Sequence, residues 1–123
     1  MTTETKTKIT YEIIAEPEWE PIEGNAIASG DYAYDRKVAN KIRGDLESGN
    51  VWAWCAVTVR ASLPGCPVIG EDYLGCCSYR DEADFRQPGG YYEDMCAMAK
   101  QRLLENLRHS LNSTIEALIG CIE

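Results

Sequence analysis

With 123 residues, 45% of them hydrophobic and 26% charged, the chain has the length of one domain and the composition of a globular protein, which excludes wholesale disorder. Its net charge of −8 opposes phosphate, so direct nucleic-acid binding is disfavoured, because that affinity comes from neutralising phosphates with Lys and Arg. The chain has no apolar run of about 18 residues, and its polar opening "MTTETKTKIT" lacks the apolar centre of a secretion signal; no membrane association and a cytoplasmic location are expected.

In chain order, "KITYEIIAE" alternates Ile9, Tyr11, Ile13 and Ala15 on one side, the period of a half-buried strand. "PEWEPIEGNAIASG" is rich in proline and glycine and predicts an irregular connection anchored by Trp19. Asp31 is placed to cap a helix with Tyr34, Val38, Ile42 and Leu46 on one stripe, and Gly49 stands where that helix should end. "VWAWCAVTVRAS" follows as a strand of aromatic and β-branched residues, and "LPGCPVIGED" turns the chain.

"YLGCCSY" reads as the second strand of a hairpin, and "RDEADFRQPGG" as a loop with room for one helical turn. From Tyr91 a helical stripe runs through Met95, Ala99, Arg102 or Leu103, Leu107, Leu111, Ile115, Leu118 and Ile122, with Glu93 and Asp94 in the first turn where carboxylates suit the helix dipole. The expected fold is α+β, in the order β-α-β-β-α: a small antiparallel sheet of about three strands with two helices on one face. We divide this single domain into an N-terminal strand with an irregular acidic segment (1–30), a core (31–111) and a helix end (112–123). A final helix reaching Ile119 would be about 43 Å long at 1.5 Å per residue, longer than such a domain is wide. It must overhang, bend at "HSLNST", or pack on a second copy, and a homodimer through this helix is expected.

The six cysteines show no closely spaced metal-binding pair. Cys76 and Cys77 are adjacent, so in a strand they point to opposite faces, and His109 is the lone histidine. A disulfide framework does not fit the expected compartment. The acidic neighbours of the paired cysteines also disfavour a thiolate nucleophile. No metal, cofactor or catalytic residue is assigned. The candidate binding residues are Trp52, Trp54, Arg60, Tyr73, Tyr79, Asp81, Glu82 and Asp84. If Val51, Ala53, Cys55, Val57 and Val59 face the helices, Trp52 and Trp54 fall on the opposite face. They are then either covered by the segment around Pro17, Trp19 and Pro21 or exposed to a partner beside the acidic loop.

"NVWAWCAVTV", "YLGCCSYRDEADFR" and "GGYYEDM" resemble segments of a group of small hypothetical proteins from phages, plasmids and other mobile elements, over roughly residues 35–111. The resemblance implies a mobile-element context and, since that group has no settled activity, carries over no catalytic residue. The resulting expectation is a non-enzymatic accessory protein that binds another protein through an acidic and aromatic surface, such as a host CRISPR or restriction complex. A small-ligand binder holding a nucleotide-like molecule is the alternative, with a metal-dependent enzyme behind it.

Overall fold

The computed structural model describes residues 8–122; the polar residues 1–7 and Glu123 lie outside the described residues. The elements are β1 (Thr10–Pro17), α1 (Tyr32–Glu47), β2 (Cys55–Ser62), β3 (Ile69–Cys77), α2 (Glu82–Phe85) and α3 (Tyr91–Ile122). The three strands form one antiparallel sheet in the order β1-β2-β3. The α+β fold and its long final helix are those expected from the sequence.

Alternation along β2 puts Cys55, Val57, Val59 and Ala61 on one face, where all four are buried. The register sets Ala15, Ile13 and Tyr11 of β1 beside Val57, Val59 and Ala61. Met95, Ala99 and Leu103 of α3 close over this face to complete the core. Burying side chains such as Val57, Val59 and Leu103 contributes about 1.5–3 kcal/mol each. Helix and sheet approach so closely at Gly70 that a Cβ there would meet the Leu103 backbone nitrogen at 2.1 Å.

The two helices do not share the sheet face; that part of the expectation is corrected. Helix α3 packs on β2 and β3, whereas α1 rests on a 3₁₀ turn at Val51–Ala53. Asp31 caps α1 by accepting the Tyr34 N–H. Gly49, at φ +97°, ends it with paired bonds from Gly49 N–H to the Leu46 carbonyl and from Asn50 N–H to that of Asp45. Ala39 and Ile42 are buried against Ile22, Ala53 and Trp54, forming a second, smaller core.

Strand β3 begins at Ile69, four residues before the expected start. The reversal is completed earlier, where Cys66 N–H bonds the Leu63 carbonyl and Gly65 takes φ +72°. The 32-residue α3 runs through "HSLNST" without a break over about 48 Å. Beyond Leu107 none of its described residues packs on the domain. No helix among the described residues is long and apolar enough to cross a membrane.

Candidate functional site

The 3₁₀ turn separates the two tryptophans, which the alternation had set together on the face opposite the helices. Asn50 starts the turn by accepting the Trp52 N–H with its side-chain oxygen, and its amide nitrogen donates to the Arg80 carbonyl. The alternation of β2 therefore begins only at Cys55, and Trp52 turns toward the main core. There it meets Phe85 at 5.6 Å and Tyr79 at 6.3 Å between ring centroids. Trp54 is 3% exposed in the second core, and its indole N–H donates to the Glu20 carbonyl at 2.8 Å.

The segment after β1 does cover Trp54, but through Ile22 and its backbone. Trp19, the expected anchor, is 95% exposed. It projects because the Glu18 carboxylate ties down the backbone around it, accepting the N–H groups of Trp19 and Glu20.

The remaining candidates separate in the same way. Tyr79 is half-buried against Phe85. Asp81 caps α2 by accepting the Asp84 N–H, and Asp84 in turn accepts the Arg80 N–H. Glu82 pairs with Arg86 along α2. Two of the three loop carboxylates thus satisfy backbone donors of their own turn. Arg60 and Tyr73 stand on the outer face of the sheet, opposite the side chains of β2 that α3 covers.

That outer face carries Glu12, Ile14 and Glu16 of β1 beside Arg60, Thr58 and Ala56 of β2, with Glu71 and Tyr73 of β3 beyond. Arg60 lies between two acids, donating to Glu71 at 3.0 Å and standing 3.8 Å from Glu12. Glu16 and Glu18 lie near the Tyr73 ring, which is 63% exposed. Desolvation, then the charge of Glu18, raises the Tyr73 phenol above its ordinary pKa.

Glu18 is positioned by a bulge. β3 spends one extra residue between Leu74 and Cys77, and Cys76 takes φ +56°, a left-handed conformation uncommon for a side-chain-bearing residue. Its freed N–H donates to Glu18 at 2.5 Å, and that bond leads the causes holding the Glu18 carboxyl below its ordinary pKa. Glu18 therefore stays ionised between Trp19 and the bulge.

The bulge also points Cys76 to solvent and brings Cys77 to the buried face, where an unbroken alternation from Leu74 would have set Cys76. Burial pushes the Cys55 thiol up to about 12 and the Cys77 thiol up to about 11. Protonated thiols are poor nucleophiles and poor ligands. Among the described residues no group of three or more His, Cys, Asp or Glu side chains is placed to hold a metal ion.

A separate groove of about 430 Å³ lies between α1 and residues 22–28. Ile22, Ile27 and Ala39 line it together with Tyr32, Arg36 and Asn40.

The acidic and aromatic surface thus exists on different residues from most of those first singled out. Trp19, Glu12, Glu16 and Glu18 were missed, although the alternation of "YEIIAE" already sets Glu12 and Glu16 opposite the core side. No signal in the sequence marks the bulge that binds Glu18. No family model matches the chain, and neither the curated proteins nor the solved structures yield a match.

Proposed function

We propose that this chain is a non-enzymatic accessory protein of a mobile element that binds another protein in the cytoplasm through the outer face of its sheet. One observation carries the reading: the exposed Tyr73 stands near the ionised Glu18, whose carboxylate holds the backbone of the exposed Trp19, beside a face where Glu12, Glu16 and Glu71 outnumber Arg60. Exposed aromatics serve as anchors in interfaces, and a carboxylate-rich rim selects a basic counterpart. The partner that fits is the cationic nucleic-acid groove of another protein. Occupying that groove would inhibit a host defence complex of the CRISPR or restriction type, a context supported by the resemblance of "YLGCCSYRDEADFR" to mobile-element proteins.

The test is competition. Purified host restriction or CRISPR complexes should lose duplex-DNA binding when the wild-type protein is added. The Trp19→Ala/Glu16→Lys/Tyr73→Ala variant, folded by circular dichroism, should leave that binding intact. A folded variant that competes as well as wild type overturns the proposal.

Self-association through the far end of α3 belongs to the same reading, because Leu111, Leu118 and Ile122 are exposed there. A second reading, a small-ligand binder, is favoured by the α1 groove, whose size is within the range of ligand sites. Arg36 there forms no ion pair among the described residues. Native mass spectrometry of freshly purified protein would detect a retained anion, and an Arg36→Ala variant should lose it.

A further inference from the structure

We infer that two copies of the chain pair antiparallel through α3, each overhang laying its C-terminal turn against the Leu104 end of the other's seam. This deepens the self-association proposed above and rests on it. Leu104, Leu111 and Leu118 recur seven residues apart, and Ile115 and Ile122 repeat the interval between them. At 3.6 residues per turn the five side chains fall within an arc of about 60°, the narrow seam of a paired helix. The seam is turned away from Met95, Ala99 and Leu103, which hold α3 to the sheet. A second helix can therefore lie along it without disturbing the core. Ile122 is 85% exposed.

Charge selects the occupant. A chain of net charge −8 repels its own copy over most of its surface. From residue 106 to residue 122, however, Arg108 and Glu116 cancel. An anionic membrane, the other common occupant of an apolar helix face, would find no cluster of cations there.

Charge also selects the direction. The last turn of α3 carries no basic residue, so its free carbonyls and the negative end of its dipole are uncompensated. At the other end of the seam Lys100, Glu105 and Arg108 surround Leu104 on the same exposed face of α3. Two cations against one carboxylate suit an incoming helix C-terminus. Antiparallel pairing sets Ile122 beside Leu104 of the second copy and Leu111 beside its Ile115. It also holds the two acidic domains at opposite ends, whereas a parallel pair would press them together. The contact is isologous, so it closes as a dimer.

Sedimentation equilibrium of the full chain should give twice the 13.7 kDa chain mass. The Leu111→Glu/Leu118→Glu variant should give the single-chain mass with its helical circular dichroism retained, since neither leucine touches its own domain. A wild-type monomer at high micromolar concentration, or a variant that still dimerises, overturns the inference. Direction is read from Cys121, which is exposed. Antiparallel pairing separates the two copies of it by about 24 Å along the axis, so mild oxidation should form no Cys121-dependent covalent dimer. Such a dimer, lost in Cys121→Ser, would overturn the antiparallel arrangement. Loss of competition for the defence complex with the dimer intact would instead strike only at the outer sheet face.

Discussion

Gly70 of β3 lies so close under Leu103 of α3 that a Cβ on the glycine would stand 2.1 Å from the Leu103 nitrogen and 2.3 Å from the Ala99 carbonyl oxygen. Both obstacles are helix backbone, which cannot rotate aside. Gly70→Ala must therefore lift α3 from the sheet and is expected to cost about 3 kcal/mol. Gly44, in the interior of α1, meets nothing within 4 Å, and Gly44→Ala should stabilise by about 0.5–1 kcal/mol through helix propensity alone. Urea titration of the two variants should shift the midpoint in opposite directions.

Cys76 offers the reverse experiment. Its φ of +56° suits glycine, and its thiol is exposed, so little packing is lost on removing it. Cys76→Gly keeps the N–H that Glu18 accepts and should be stabilising by about 0.5–1 kcal/mol. Cys76→Val, with a branched side chain in the same conformation, should be destabilising. Thermal unfolding of both variants decides it.

Trp54 and Trp19 should respond oppositely to truncation. Trp54 fills the second core and donates to Glu20, so Trp54→Ala should cost about 3–5 kcal/mol. Trp19→Ala should change stability by less than about 0.5 kcal/mol, yet weaken capture of a basic partner. Denaturation curves and binding isotherms on the same preparations test both halves.

The buried thiols set an alkaline limit to stability. Cys55 and Cys77 are raised from 9.0 to about 12 and about 11, in each case first by burial. In that range the folded chain holds protons that the unfolded chain has released. The contribution is fully present below pH 9.0 and is lost as pH rises through 11 to 12. Stability measured from pH 8 upward should fall, and the slope should be shallower in Cys55→Ala/Cys77→Ala. It should not vanish, because Tyr11, Tyr79 and Tyr92 are raised in the same sense. An unchanged slope in the double variant would refute the assignment.

Much of the fold was legible because its signals are local. Asp31 and Gly49 bound α1 through backbone hydrogen bonds within a few residues of themselves. The apolar period of β2 from Cys55 onward matches its burial. The site was less legible. Trp52 and Trp54 read as one face only if the strand begins at Val51, and a side chain of Asn50, reaching Arg80 far along the chain, makes that stretch a turn. Asp81 and Asp84 looked free because their partners are backbone N–H groups, which no composition reveals.

By itself the sequence determined the α+β element order, the antiparallel hairpin and the excess length of the last helix. Each depends on a period of two or 3.6 residues, or on a cap, that a short window contains. The tertiary structure alone decided that α1 packs on the 3₁₀ turn and not beside α3 on the sheet, that Trp54 is core while Trp19 faces water, and that Glu18 reaches the bulge at Cys76. Those outcomes depend on contacts between residues 34 and 58 positions apart, where close packing and the pairing of stray backbone donors, rather than local preference, select which surface is left for a partner.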